Sequence, residues 1–173
     1  MNIFGFAGWS GSGKTTLIEQ LIPVLARQVG RVSLVKHAHH AFDVDHPGKD
    51  SWRHRQAGCT EVLVSSGVRW ALLHELRGAA ELTVPQALAR LAPCDLVLIE
   101  GYKAYPMPKL EVWRPVVNKP WLHPGDPNIA GIATDDTPAA RAVSTLPVFD
   151  LADIGAIATF VRERSLSWST DLT

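Results

Sequence analysis

Short runs of apolar and β-branched residues alternate along the chain with segments in which apolar residues recur every three or four positions. The first run, Asn2–Ala7, leads through a glycine-rich turn into an amphipathic helical pattern that ends at Gly30. Arg31–Lys36 is then predicted to be a second buried strand, and Leu96–Ile99 a central strand that ends at Glu100. This alternation predicts an α/β fold with a mostly parallel sheet flanked by helices.

The middle of the chain adds a different pattern. Val62–Val64 and Trp70–Leu73 flank a short polar turn, which predicts an antiparallel hairpin extension. Asp50 is placed to cap a short helix before that hairpin. Further predicted elements are a helix opened by the capping box of Thr83 and Gln86, strands at Lys109–Trp113, Ile129–Ala133 and Pro147–Phe149, and a last helix capped by Asp150.

Length and composition favour one domain. The chain has 173 residues, 46% of them hydrophobic, which is enough for a core without disulfides. We expect a single domain over residues 1–165 and a flexible tail over 166–173. Basic and acidic residues number 17 each, so no overall positive charge attracts nucleic acid or an anionic membrane. No apolar run approaches the ~18 residues of a membrane span, and a cytoplasmic location is expected.

The turn after the first strand carries the clearest chemical signal. Residues 8–15, GWSGSGKT, match the pattern G-x-x-x-x-G-K-[ST] and stand between a strand and a helix, the context that the pattern requires. Such a turn points backbone N–H groups at a phosphate, and the helix N-terminus adds partial positive charge. The sequence therefore predicts a P-loop nucleotide site on an NTPase-like fold. The residues expected to contact the nucleotide here are Gly8, Ser10, Gly11, Ser12, Gly13, Lys14, Thr15 and Thr16.

Two side chains of this loop have predicted chemical roles, and a third residue should join them. Lys14 is expected to bridge the outer phosphates and the Thr15 hydroxyl to ligate Mg²⁺. Asp95 and Glu100 stand at opposite ends of one predicted strand, about 17 Å apart at about 3.3 Å per residue. Only Glu100 lies at the P-loop edge, so Thr15 and Glu100 are candidate metal ligands and Lys14 and Glu100 candidate catalytic residues. Lys103 either contacts phosphate or points into solvent.

The loop after the second strand is rich in histidine and aspartate. Residues 36–40, KHAHH, are followed closely by Asp43 and Asp45. Cysteine and a helix-spaced HxxxH pair are both missing, so we favour a loop over the phosphates or a second substrate above a structural zinc site. In that interpretation His37 and Asp45 contact the nucleotide; a solvated loop is the alternative. A basic cluster follows that either faces solvent or receives another phosphate, formed by Lys49, Arg53, His54 and Arg55.

Taken in order, these motifs resemble MobB, the molybdopterin-guanine dinucleotide biosynthesis adapter family of P-loop proteins. The resemblance covers residues 2 to about 164 and rests on residues 8–16, residues 36–40 with the two aspartates, residues 48–51 (GKDS) and residues 100–103 (EGYK). It implies a cytosolic, homodimeric GTP-binding protein with weak GTPase activity, which assists a separate guanylyltransferase that joins GMP to molybdopterin. The family's GTP and Mg²⁺ roles transfer to the glycine loop, Lys14, Thr15 and Glu100. Direct binding of molybdopterin is left open.

Other functions stay open at this point. A guanine-reading Asn-Lys-x-Asp motif is absent, because Asn118-Lys119-Pro120 runs into Trp121, so the preference for GTP rests on the resemblance and ATP is an alternative. A small-molecule kinase using ATP or GTP would employ the histidine and aspartate loop to hold an acceptor hydroxyl. Its best lid arginines would be Arg53 and Arg55. A third interpretation treats the nucleotide as a switch for docking.

Overall fold

A computed structural model describes residues 1–38 and 42–169 of the chain. The chain divides into two compact units. The large unit comprises Met1–His37 and Val84–Thr173, and the small unit comprises Ala38–Thr83. The small unit is therefore an insertion in the sequence of the large unit. A single domain over residues 1–165 stays a prediction.

Most strands of the described chain belong to one sheet in the large unit. The strands are β1 (Asn2–Ala7), β2 (Val32–Lys36), β3 (Glu61–Ser65), β4 (Trp70–His74), β5 (Leu96–Glu100), β6 (Lys109–Trp113), β7 (Ile129–Thr134), β8 (Val148–Asp150) and β9 (Leu166–Ser167). The sheet has the order β2-β5-β1-β6-β7-β8, in which every neighbouring pair is parallel. The predicted α/β fold with a mostly parallel sheet is confirmed.

Helices cover both faces of this sheet. The large unit contains α1 (Lys14–Val29), α3 (Val84–Leu88), α4 (Thr137–Val143) and α5 (Ile154–Arg164), whereas α2 (Asp50–Gln56) belongs to the small unit. Successive strand residues point to opposite faces, so Phe4 and Leu98 pack with α1 and α5, whereas Ile3 and Val97 pack with α3. No helix within the described residues has the length and apolar character of a membrane span.

Several local predictions were wrong, each for a physical reason. β2 is an edge strand, and its Leu34 is 39% exposed rather than buried. Asp150 ends β8, where its carboxylate accepts a hydrogen bond from the backbone of Ala152 at 2.8 Å. The N-cap of α5 is instead Asp153, whose side chain accepts from the N–H of Ala156.

Two further differences concern chain segments near the ends of elements. Asp50 lies in the first turn of α2, and the N-cap position is occupied by Lys49. The strand β9 lies in the segment expected to be a flexible tail. It pairs antiparallel with β1, with Ser167 opposite Asn2 and Leu166 opposite Ile3. Backbone pairing with the first strand therefore anchors the start of that segment.

The small unit contains the predicted hairpin. β3 and β4 are antiparallel and pair from Glu61 opposite His74 to Ser65 opposite Trp70. The helix α2 precedes them in the chain. The antiparallel hairpin extension is therefore confirmed.

Candidate nucleotide-binding site

The P-loop begins directly where β1 ends, and its glycines allow a tight backbone path. A Cβ on Gly8 would meet the backbone oxygen of Val112 and lie 2.8 Å from the Ser12 hydroxyl. Gly11 and Gly13 have φ of +81° and +92°, a left-handed conformation that glycine adopts without strain. Gly13 is the N-cap of α1. The loop thus leads straight into a helix N-terminus, which is the arrangement that binds phosphate.

Two polar side chains of the loop, those of Lys14 and Ser12, are placed where they can contact an anion. The Lys14 ammonium donates to the carbonyl oxygens of Gly8 at 3.0 Å and Trp9 at 2.8 Å. The Ser12 hydroxyl belongs to a side chain only 1% exposed and has no hydrogen-bond partner within the described residues. A buried polar group without a partner is costly, so this hydroxyl suits a phosphate oxygen of a bound nucleotide.

The structure brings Thr15 and Glu100 together, as strand geometry predicts. The Thr15 hydroxyl lies 3.4 Å from Glu100 Oε1, and the Lys36 ammonium lies 3.4 Å from Glu100 Oε2. β2, β5 and β1 end in register at this edge, with Glu100 opposite both Phe6 and Lys36. Adjacent ligands of octahedral Mg²⁺ at about 2.1 Å stand about 3 Å apart. A hydroxyl and a carboxylate at this separation fit a magnesium ion.

Asp95 lies at the opposite edge of the same sheet. Its carboxylate accepts from the backbone N–H of Arg31 at 2.7 Å, and its backbone oxygen accepts from the N–H of Asn2 at 3.0 Å. The predicted strand direction is therefore correct. Asp95 does not contribute to the P-loop edge.

Positive charge exceeds negative charge around the loop. Burial lowers the pKa of Lys14 below its ordinary value, and Glu100 opposes that shift. The nearby ammonium groups of Lys103 and Lys36 lower the pKa of Lys14 further. Three lysines thus face one carboxylate, and a polyphosphate would relieve the repulsion among them.

The Trp9 side chain contacts residues on both sides of the P-loop. Its indole N–H donates to the carbonyl oxygen of Pro120 at 2.8 Å. The ammonium of Lys103 lies 5.0 Å from the centre of the indole ring, and that of Lys119 lies 5.9 Å away. Both distances suit cation–π contacts. Lys103, a candidate from the sequence, is therefore next to the P-loop.

Trp9 should report on the loop. We expect tryptophan emission to change when Mg²⁺-GTP is added, because an anion would attract the lysines that lie over the Trp9 ring. The change should disappear in Trp9→Phe and persist in Trp168→Phe, whose backbone binds Met1 near the opposite end of β1. A response that survives in Trp9→Phe would exclude Trp9 as its source. Steady-state fluorescence titration is the measurement.

His37 lies at the same edge of the sheet as the metal candidate Glu100. Its backbone N–H donates to the Glu100 carbonyl at 2.8 Å, and its ring centre is 4.6 Å from that of Tyr102. A Cβ on Gly101 would lie 2.6 Å from the Cβ of His37, so only glycine permits this approach. His39 and His40 lie outside the described residues. Among the residues that are described, no three His, Cys, Asp or Glu side chains are grouped to hold a metal ion.

Asp45, the other candidate from the histidine and aspartate loop, lies in the small unit. Its carboxylate accepts from the Ser51 hydroxyl at 2.8 Å and from the Arg55 guanidinium at 3.3 Å. Arg55 also binds Asp43 at 2.8 Å and Glu75 at 2.6 Å. These observed contacts of Asp45 are internal to the small unit, and its role in nucleotide binding stays a prediction.

Arg55 has neither of the roles expected for the basic cluster. Its side chain is only 8% exposed, and three carboxylates surround it. Hydrogen bonds from Arg55 hold the pKa of Asp43 below its usual value. Burial raises the pKa of Asp45, but hydrogen bonds from Ser51, the backbone and Arg55 outweigh that effect and lower it. Arg55 and the three carboxylates around it therefore form a structural centre of the small unit.

Replacing Arg55 should weaken the small unit selectively. Arg55→Met leaves Asp45 without its cation in a site of low exposure, and breaking a buried pair is destabilising. We expect a lower Tm and faster amide exchange in α2 and its preceding loop. Arg53→Met, at a side chain 70% exposed, is the matched control and should change little.

The loss of stability in Arg55→Met should depend on pH. Carboxylates with a lowered pKa contribute stability above their unfolded value of 3.8, and that stability is lost as pH falls through the folded pKa. The Tm difference between wild type and Arg55→Met should therefore shrink below about pH 4. A difference that grows on acidification would contradict the assignment.

The chain is similar in sequence to known proteins. The sequence profile of the family described as molybdopterin guanine dinucleotide synthesis protein B, MobB, matches residues 3–135. The molybdopterin-guanine dinucleotide biosynthesis adapter protein of Escherichia coli K12 is 38% identical over 164 residues, which cover 93% of this chain and 91% of that protein. Its counterpart in Haemophilus influenzae is 41% identical over 133 residues, 77% of this chain and 74% of that protein.

Solved structures share the fold. Bacillus subtilis MobB superposes with a TM-score of 0.73 at 24% identity and covers 97% of this chain and 100% of its own. A MobB homolog from Bacillus stearothermophilus gives a TM-score of 0.65 at 26% identity, with 95% and 100% covered. The P-loop, the sheet order and the matched sequences together place this chain in the MobB family of molybdopterin-guanine dinucleotide biosynthesis adapter proteins.

Proposed function

We propose that this chain binds Mg²⁺-GTP at its P-loop and acts in the cytoplasm as an adapter for the guanylyltransferase that joins GMP to molybdopterin. The observation that carries the proposal is the cluster of Lys14, Thr15 and Glu100 at the end of β1 and β5. The relatives' role in molybdopterin-guanine dinucleotide biosynthesis supplies the pathway. The proposal assigns the nucleotide to the adapter and the transfer chemistry to the partner enzyme.

Each residue of the cluster has a role in this proposal. The Lys14 ammonium leaves the loop carbonyls to bind the outer phosphates, and the Ser12 hydroxyl donates to a phosphate oxygen. Thr15 and Glu100 hold Mg²⁺, which neutralises phosphate charge when bound. Lys36 orients Glu100 through its contact with Oε2.

Slow hydrolysis is consistent with this geometry. Both carboxylate oxygens of Glu100 already have partners, Thr15 and Lys36, so Glu100 is a poor general base for water. Supplied arginine fingers raise GTPase rates by about 10³ to 10⁵. Because no partner supplies an arginine finger to the isolated chain, we expect it to turn over GTP slowly by itself.

A consumption assay separates the adapter from a small-molecule kinase. Purified protein is incubated with Mg²⁺-GTP or Mg²⁺-ATP, alone and with molybdopterin or a panel of small hydroxyl compounds. The adapter proposal expects slow hydrolysis throughout. Phosphorylation of a small molecule at roughly 1–100 per second, with loss in Asp43→Asn or Asp45→Asn, would replace it with the kinase.

The proposal includes a homodimer, with the hairpin of the small unit as the contact. β3 and β4 expose large apolar side chains, with Leu63 at 64% and Trp70 at 67%, and an isolated two-stranded sheet is only marginally stable in water. Light scattering should give a dimer for wild type and a monomer for Leu63→Ser with Trp70→Ser. Val116→Ser, an exposed apolar site of the large unit at 76%, is the control. A wild-type monomer at micromolar concentration would exclude this contact.

A further inference from the structure

An ion pair next to the P-loop has no part in phosphate or metal binding as proposed above. Arg114 directly follows β6 and Asp135 directly follows β7, and the Arg114 Nε donates to Asp135 Oδ2 at 2.7 Å. A Cβ on Gly13 would lie 3.8 Å from Arg114 Cδ. Val112 packs with α1, and Arg114, two residues later, continues on that side of the sheet. The pair therefore borders the loop at the carboxyl edge of the sheet.

The pair has hydrogen-bonding groups that the fold does not use. Arg114 and Asp135 are 40% and 41% exposed, and a surface ion pair contributes little stability. Within the described residues, the two terminal guanidinium nitrogens and Asp135 Oδ1 make no hydrogen bond. By contrast, the pair of Lys109 and Asp126 at the start of β6 is closed, because Lys109 is only 1% exposed and its ammonium also binds a backbone carbonyl.

The position of Arg114 and Asp135 in the sheet indicates which kind of ligand they could contact. Ligands of open α/β sheets bind outside the carboxyl ends of the strands. β6 adjoins β1, which leads into the P-loop, and β7 is the next strand outward. A nucleotide anchored by its phosphates at the loop can therefore reach Arg114 and Asp135 with its base.

We infer that Arg114 and Asp135 recognise the base of the bound nucleotide and select guanine. This inference rests on the proposed nucleotide binding and extends it to base specificity. Guanine offers acceptors at O6 and N7, which match the two free terminal nitrogens of Arg114. Its N1–H and 2-amino donors match the acceptor-only carboxylate of Asp135. Adenine keeps the N7 acceptor but turns an amino donor toward the arginine in place of O6. It also lacks the N1–H and 2-amino donors, so the contact with Asp135 is lost and that with Arg114 is weakened.

The pair also accounts for guanine selection without an Asn-Lys-x-Asp motif. Arg114 and Asp135 stand 21 residues apart in the chain, so no short motif joins them. The strand ends of β6 and β7 bring them together. Sequence pattern alone could not identify this pair.

Base analogues test each contact separately. Calorimetry is done with GTP, ATP, ITP, which lacks the 2-amino group, and inorganic triphosphate, which lacks the base. Wild type should bind GTP more tightly than ITP or ATP by roughly 10- to 100-fold. Asp135→Ala should abolish the preference for GTP over ITP, and Arg114→Ala should remove most of the preference for GTP over ATP. Both variants should keep wild-type affinity for inorganic triphosphate, which also shows that they fold.

Asp135→Asn supplies a gain of function. Its amide offers donors that suit the 2-oxo group of xanthine, so affinity should move from GTP toward XTP. Arg31→Ala and Asp95→Asn change a comparable exposed pair at the opposite sheet edge and should alter no affinity.

The possible results distinguish failure of the base assignment from failure of the proposed nucleotide binding. Equal binding of GTP and ATP by wild type, or full GTP preference in Asp135→Ala, overturns the base assignment and leaves the P-loop proposal standing. Loss of inorganic triphosphate binding in Arg114→Ala overturns it too, because Arg114 would then contact phosphate. If wild type binds neither nucleotide nor inorganic triphosphate, the proposed function and this inference both fail.

Discussion

Lys14→Ala is expected to lower the affinity for Mg²⁺-GTP by about 100-fold, with the fold retained. A hydrogen bond to a charged group contributes about 1.5–3 kcal/mol, and Lys14 is placed to make more than one with the outer phosphates. Among the described residues, its ammonium donates to the carbonyls of Gly8 and Trp9, which water can satisfy after the change. Burial lowers its pKa, so the folded protein does not gain by keeping this charge without an anion.

Isothermal calorimetry with GTP measures this effect, and circular dichroism with thermal unfolding checks the fold. Arg27→Ala removes an exposed cation from the last turn of α1, far from the loop, and should leave the affinity unchanged. Affinity for GTP that stays within a factor of about two in Lys14→Ala, or about 0.4 kcal/mol, would show that the phosphates bind elsewhere.

The second large effect concerns Glu100. Glu100→Gln should remove most of the Mg²⁺ dependence of GTP binding, with a loss of at least about tenfold in the presence of the metal, because an amide is a far weaker ligand for a hard cation. The variant also leaves Lys36 and Lys14 without their nearest carboxylate. Asp95→Asn changes a carboxylate of the same strand at the other sheet edge and should leave Mg²⁺ dependence intact.

The measurement is GTP affinity with Mg²⁺ and with a chelator. The ratio of the two affinities isolates the metal contribution from any general change in charge. An unchanged ratio in Glu100→Gln would mean that Glu100 is not a metal ligand. A reduced ratio in Asp95→Asn would mean that the metal lies at the other edge of the sheet.

Short sequence patterns correctly predicted the elements whose structure depends on neighbouring residues. The buried run at Leu96–Ile99 and the glycine loop after Asn2–Ala7 were located correctly, since continuous apolar residues and left-handed glycines are visible in a short window. Strand direction then followed, and with it the meeting of Thr15 and Glu100. The predicted hairpin was also correct, because its turn residues separate two runs of strand-forming residues.

Features that depend on distant parts of the chain were missed. The position of β2 at an edge follows from strand order, which its apolar pattern does not encode. Arg55 belongs to a basic run, but its partners are 10 to 20 residues away, so its burial could not be recognised. The helix α4 is short and largely alanine around Arg141, without an apolar stripe, and a single N-cap at Asp136 marks its start.

The site was predictable to a similar extent. Lys14, Thr15 and Glu100 lie within or beside motifs and were found. Lys36 stood in a motif, but its contact with Glu100 requires the register of two strands. Arg114 and Asp135 carry no motif, and only the adjacency of β6 and β7 joins them.

The most direct test of the adapter function is reconstituted guanylyl transfer. A guanylyltransferase, molybdopterin and Mg²⁺-GTP are combined, and formation of the dinucleotide is followed with and without this protein. We expect faster transfer with wild type, little acceleration with Lys14→Ala, and no dinucleotide when the guanylyltransferase is left out. Equal acceleration by Lys14→Ala and wild type, or no acceleration by either, would contradict a GTP-dependent adapter.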